Sequence, residues 1–162
     1  MKIERKNHVW ATDITFIPMP KGHMYLCAII DLYSRYVLSW NISNTMDTAL
    51  CIGVLKDALQ HHGKPKIFNS DQGSQFTSPN FINILEDQGV MISMDSVGRA
   101  LDNIFIERLW RSVKYECIYL NAFENGVQLY QGLEQYFKFY NCERKHQSLD
   151  YQTLEKLFRK IV

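Results

Sequence analysis

The chain predicts a mixed α/β fold: a five-stranded sheet of three antiparallel strands and two crossover strands, flanked by helices. Three observations predict it. The first 43 residues hold three β-branched and aromatic runs joined by short links, with no helical stretch between them. From residue 44 onward, apolar residues at helical spacing alternate with short apolar runs. Each of those later short runs follows a helix, so each joins the sheet by a crossover.

The elements follow in order. "HVWATDITFI", residues 8–17, reads as the first strand, and "PMPKG" as a turn. "HMYLCAIID" and "YVLSWNIS" are the second and third strands, joined by the polar corner "DLYSR". Both are nearly continuous apolar runs, as expected of strands covered on both faces. "NTMDTALCIGVLKDALQHHG" has Leu50, Val54, Leu55, Ala58 and Leu59 at helical spacing, Asn44 or Thr45 to cap its start, and Gly63 after its end. "PKIFNSD" is the fourth strand. "SPNFINILEDQG" is a helix with Ser78 at the N-cap, Pro79 at the first position and Gly89 after the last turn. "VMISMDS" is the fifth strand and "VGRALDN" a loop, with Asp102 or Asn103 capping the helix "IFIERLWRSVKYECIYL". "GVQLYQGLEQYFKFYN" closes the series, with Leu129, Leu133, Phe137 and Tyr140 on one side.

At 162 residues, 46% apolar and 22% charged, the chain is expected to form one globular domain over residues 1–162, with no linker or repeat. A formal net charge of +1 neither announces a nucleic-acid binder nor excludes a local basic face. Cys27, Cys51, Cys117 and Cys142 are scattered, and read as reduced thiols of a cytoplasmic protein. There is no signal peptide, membrane-length apolar run, Walker loop, G-x-S-x-G or H-E-x-x-H.

Three carboxylates stand out. Asp71 ends the fourth strand in "NSDQGSQFTS", where sheets of this kind gather their sites. Asp13 lies inside the first strand, where an unpaired charge is costly and the usual remedies are a cationic partner or a metal. Glu107 lies near the start of the long helix, sharing a face with Arg111 and Lys114, while Phe105, Ile106, Leu109, Trp110, Val113 and Cys117 fill the other. Singly, each has a plain reading: a strand-end turn for Asp71, an ion pair with Lys or Arg for Asp13, a solvated helix residue for Glu107. Jointly, this topology lets them converge. An all-oxygen set suits Mg²⁺ or Mn²⁺, and two such ions serve an in-line phosphoryl displacement. Arg111 and Lys114 follow Glu107 in one row, either as a salt-bridge ladder or as grips on flanking phosphates.

"HVWATDITFIP", "YLCAIIDLYSRYVLSW", "NSDQGSQFTS" and "GRALDNIFIERLWRSVKYE" strongly resemble the integrase-like catalytic core of bacterial insertion-sequence transposases, and above all the large product of insertion sequence family three. The resemblance runs from about His8 to Leu149. That family carries an Asp, Asp, Glu triad with thirty-five residues between the second and third members, matched here by residues 72–106 between Asp71 and Glu107. The resemblance implies a ribonuclease H-like fold, Asp13, Asp71 and Glu107 as metal ligands, and DNA cleavage and strand transfer as the activity. It implies DNA and further copies of the chain as partners, and a bacterial cytoplasmic protein that meets the nucleoid when it acts.

Gly73 permits a sharp turn that lets Gln72, Ser74 and Gln75 face substrate; a plain loop is the alternative. Arg99 in "VGRAL" is a candidate phosphate contact, and Asn103 a cap or a substrate contact. Asp31 reads as an Arg35 partner, and His61 and His62 as a cationic helix end. The ending "YNCERKHQSLDY" resembles the family's closing motif but has Lys145, Asp150 and Leu154 where Pro, Gly and Pro are usual, so the tail beyond Asn141 is free to continue as helix. The family's N-terminal DNA-binding helices are absent, which makes the chain a core cut from a longer protein or a truncated remnant. Two rivals remain open: a ribonuclease H-like nuclease acting on RNA–DNA hybrids, and a non-catalytic oligomerisation or DNA-binding module.

Overall fold

The computed structural model describes residues 2–94 and 100–160, with the side chains of residues 100–103 outside that description. Strands β1 (Val9–Met19), β2 (Gly22–Asp31) and β3 (Val37–Ser43) form an antiparallel meander. Helix α1 (Thr48–His62) carries the chain back to β4 (Ile67–Ser70), which pairs parallel with β1. The short α2 (Ser74–Thr77) and α3 (Pro79–Asp87) lead to β5 (Met91–Met94), parallel with β4. The sheet order is β3-β2-β1-β4-β5, which makes the five-stranded mixed sheet that the sequence predicts. Helices α4 (Ala100–Val113) and α5 (Gly126–Cys142) follow, then α6 (Leu154–Phe158).

Continuous burial explains why this sheet is covered on both faces. Leu26 through Asp31 on β2 and Val9 through Thr12 on β1 are all buried, so neither strand has a wet side there. Pro18 sits within β1 rather than in the turn, opposite His23. The β4 pairing ends at Ala11–Asn69, so beyond it that side of β1 is an edge, and a missing N–H costs nothing there.

The caps partly follow the sequence. Ser78 Oγ accepts from Phe81 N–H, with Pro79 behind it, as predicted. Helix α1 is capped by Asp47, which accepts from Leu50 N–H at 3.0 Å, and not by Asn44 or Thr45; Thr45 instead donates its hydroxyl to the other oxygen of Asp47. Helix α4 begins at Ala100, so Asp102 and Asn103 lie in its first turn and neither is the N-cap. After Val113 the long helix loosens into one π turn, Lys114–Ile118, marked by Tyr119 N–H donating to Lys114 C=O at 2.9 Å.

The tail does not continue as helix. Helix α5 ends at Cys142, a short 3₁₀ turn spans Gln147–Leu149, and Asp150 and Tyr151 take left-handed backbone angles (φ 55° and 60°). An aspartate tolerates that conformation better than most residues, so Asp150 makes the turn that a glycine would make freely. The turn is closed by His146 N–H donating to Gln152 C=O at 3.1 Å, while His146 C=O accepts from Tyr151 N–H at 2.9 Å. All four cysteines are free thiols, and among the described residues no helix is long and apolar enough to cross a membrane.

Asp31 is not the ion-pair partner of Arg35. It is fully buried, and its carboxylate accepts from Asn7 N–H (2.8 Å), Ser34 N–H (2.9 Å) and the Ser34 hydroxyl (2.6 Å). Three donors from the corner and the N-terminal segment thus converge on one side chain, and only the Arg35 backbone N–H reaches Asp31, through its carbonyl. Asp31→Ala leaves those buried donors without an acceptor and should destabilise the chain by about 3 kcal/mol. Asp31→Asn retains part of the acceptor capacity and should cost less. Chemical denaturation of both variants measures the difference; equal, small losses would show that the corner does not depend on this carboxylate.

Candidate active site

Asp13 is in the middle of β1 by sequence but at a rim in space. The β1–β4 ladder pairs Val9 with Ile67, Trp10 with Phe68 and Ala11 with Asn69, and β4 stops at Ser70. Two residues past that last pair come Asp13, still within β1, and Asp71, just beyond the end of β4. A charge within a strand is tolerated here because its neighbour strand has just ended.

Asp13 and Asp71 each accept an N–H hydrogen bond. The indole of Trp110 on α4 donates to Asp13 Oδ2 at 3.1 Å. Asp71 Oδ1 accepts from Gly73 N–H at 2.7 Å, which is the strand-end turn read in the sequence. Gly73 is needed for space rather than for an unusual backbone: its φ is −60°, but a Cβ there would lie 2.8 Å from Asp71 Oδ1 and 3.0 Å from Gln75 Oε1. Glu107 lies one turn before Trp110 on α4 and is exposed, as is Asp71.

The electrostatics tie the three together. Burial pushes the Asp13 carboxyl above the ordinary aspartate value; the Trp110 hydrogen bond opposes that, and the negative charges of Asp71 and Glu107 add to it. Asp13 therefore senses both partners, and among the described residues it has no Lys or Arg in ion-pair contact. The three side chains are not gathered into a preformed ligand shell: no group of three such residues among those described stands ready to hold an ion. Their chemistry nonetheless fits a hard divalent cation, because all donors are oxygens and the mutual repulsion felt at Asp13 is what a cation would relieve.

The other sequence candidates divide. Gln72 is exposed in the turn after Asp71, and Ser74 is exposed at the start of α2. Gln75 is buried, with its amide directed to Met46 C=O at 3.4 Å, so it does not face outward. Arg99 lies outside the described residues, as does the side chain of Asn103. Arg111 is exposed and Lys114 half-buried at the π turn. The salt-bridge ladder does not form: among the described residues neither cation pairs with Glu107, and Arg111 stacks 5.7 Å from the centre of the Tyr115 ring. Trp110, the residue that fixes Asp13, is read in the sequence only as part of the core face. Its signal is an indole N–H on the buried side of a helix that must find an acceptor.

The family profile described as "Integrase core domain" matches residues 3–100, and a second profile with the same description matches residues 88–153. The chain belongs to the integrase core domain family. Its relatives include the transposase for insertion sequence element IS904 of Lactococcus lactis subsp. lactis (strain IL1403), 34% identical over 94% of this chain and 61% of that protein. Transposase InsF for insertion sequence IS3A of Escherichia coli (strain K12) is 32% identical over 86% of this chain and 50% of that protein. The chain thus spans about half to three-fifths of the length of these relatives. Among solved structures, the HTLV-2 integrase catalytic core domain in complex with magnesium (dimeric form) superposes with a TM-score of 0.70 at 20% identity, covering 97% of this chain and 98% of that one. A chain of the simian T-cell lymphotropic virus intasome in complex with PP2A regulatory subunit B56 gamma reaches 0.83 at 19% identity, covering 99% of this chain and 58% of that one. The fold is ribonuclease H-like.

The raised Asp13 carboxyl makes a signed prediction. A carboxyl raised in the folded state favours folding when protonated, and that advantage is lost as pH rises through its folded value. Asp13→Asn, which removes the charge and keeps an acceptor for Trp110, should melt higher than wild type at pH 7 in chelator. The difference should shrink toward zero as pH falls below about 4. Thermal melts across that range check it; a lower melting temperature at pH 7 would show that the ionised carboxylate stabilises this fold.

Proposed function

We propose that this chain is the catalytic core of an insertion-sequence transposase, which cuts and joins DNA strands by phosphoryl transfer with Asp13, Asp71 and Glu107 as its metal-binding triad. The observation that carries the reading is the register of β1 and β4, which brings Asp13 beside Asp71, together with the Trp110 contact that lays α4 and Glu107 against the same rim. Family membership and relatives named as transposases support it.

In this reading the three carboxylates hold Mg²⁺ or Mn²⁺, two ions when DNA is bound. Such ions stabilise the charge that develops on the phosphoryl group and on the attacking and leaving oxygens. The chain's own residues orient the parts. Trp110 fixes the Asp13 carboxylate by its N–H, and Gly73 fixes that of Asp71. Glu107 is presented on a helix whose opposite face is buried. Gln72, Arg99, Asn103, Arg111 and Lys114 are the candidates for contact with the DNA backbone, which positions a strand without reading its sequence. Further copies of the chain complete an assembly on DNA, in the bacterial cytoplasm.

The test is Mg²⁺-dependent strand transfer with an oligonucleotide bearing a 3′-hydroxyl end. Wild type should join it to target DNA, while Glu107→Gln should abolish joining and leave DNA affinity unchanged or tighter, since a negative charge is gone. An active Glu107→Gln protein would remove Glu107 from the triad. Cleavage of an RNA–DNA hybrid in place of strand transfer would assign the same carboxylates to a nuclease. A second readout needs no DNA: the ion should stabilise the fold by about 1.4 kcal/mol at tenfold its Kd, a rise of roughly 3 °C. Asp71→Asn should remove most of that rise.

A further inference from the structure

An open cavity of about 650 Å³ lies beside α4, between that helix, the β2–β3 corner and the chain after α5. It is lined by Arg35, Arg108, Arg111 and Arg144, and among the described residues by no carboxylate. Arg144 is neutralised from behind: its guanidinium forks onto both oxygens of Glu116, at 2.7 and 2.8 Å. The other three make no ion pair among the described residues. Three like charges thus face one open space without an ion-pair partner among the described residues.

The pocket is built rather than incidental. Arg35 leaves the corner with a left-handed backbone (φ 67°), and its Nη1 donates to Ser148 Oγ at 2.6 Å, tying the corner to the 3₁₀ turn of the tail. Its guanidinium lies 4.3 Å from the centre of the Phe105 ring, and that of Arg108 lies 5.8 Å from the same ring. Both guanidiniums thus gather at one aromatic ring, and their remaining N–H groups are available to an acceptor. Burial and the neighbouring Arg108 charge make protonated Arg35 less favourable than an ordinary arginine, a cost that an anion in the cavity would offset. The hydroxyls of Ser112, Tyr140 and Ser148 add neutral donors on the walls.

We propose that this pocket grips a backbone phosphate of DNA, as a second holding point separate from the carboxylate rim; this rests on the reading that the chain acts on DNA. Paired arginine forks match the oxygens of a phosphate by parallel N–H···O bonds. The cavity is open and far larger than one phosphate group, so it admits a phosphodiester with its flanking sugars. Arg108 follows Glu107 directly in the chain, and Arg111 follows one turn later. A single DNA molecule can therefore span the rim and the pocket across one helix.

Binding of a labelled duplex oligonucleotide, followed by fluorescence anisotropy over a salt series, tests the proposal on the whole chain without metal. Arg108→Ala is at an exposed helix position and should fold as wild type; Arg35→Gln is the second variant, and thermal melts confirm both are folded. Each should weaken binding on every sequence and flatten the slope of log K against log salt by about 0.9, the value of one phosphate. The double variant should lose little more, because both residues serve the same phosphate. Wild-type binding with an unaltered slope in both variants would overturn the pocket and leave the proposed function standing. No DNA binding by wild type would overturn both. Inorganic phosphate distinguishes a free-anion site: if it shifts the Arg35 and Arg108 side-chain NMR signals while the variants keep the wild-type DNA slope, the pocket takes small anions and not DNA.

Discussion

The parallel pairing of β1 with β4 is the constraint on which the site depends. Parallel neighbours cannot be joined by a tight turn, so α1 must intervene, and β4 enters the sheet beside the first strand rather than the third. Side chains alternate across a strand, and a slip of one residue in that pairing would turn the side chains of β4 to the opposite face. The large buried residues on both faces, Trp10 and Phe68 among them, hold the pairing in register. The core therefore specifies which stretch of β1 lies alongside the end of β4.

Helix α4 adds the third member and links it to the rest of the molecule. Its buried side, Ile106, Leu109, Trp110 and Val113, docks it on the sheet, and the Trp110 indole ends that apolar side in one polar contact. Farther along, Glu116 joins Arg144 and the Tyr136 hydroxyl, so the start of the tail is fastened to the helix that presents Glu107. Burial and the Glu116 charge push the Tyr136 hydroxyl far above its ordinary value, so it remains a donor at any working pH.

The strands and helices and their succession along the chain are readable because they rest on signals that span many residues: apolar runs, helical spacing, and glycine and proline at element ends. Asp13 stands out for a different reason, since its carboxylate violates the local pattern of the strand that carries it. What stayed hidden depends on contacts between distant segments. Nothing near Asp31 indicates that its partners are Ser34 and the backbone of Asn7 rather than the adjacent Arg35. The arginine pocket joins Arg35 to Ser148, and no window along the chain contains both. The tail departs from the helix that its missing glycine and prolines would permit because Asp150 adopts the left-handed turn itself.

The π turn at Lys114–Ile118 accommodates one residue more than an α-helix would. Its consequence is a change of phase within one continuous rod. Upstream, the angular position of each side chain is fixed by the sheet; downstream, it answers to α5, where Cys117 points its thiol at Gly132 C=O. The loosened turn separates those two demands, as a vernier lets two scales of different origin be read against each other. Glu107 keeps the aim that the sheet requires, and Glu116 keeps the aim that Arg144 requires, though no single helical pitch serves both.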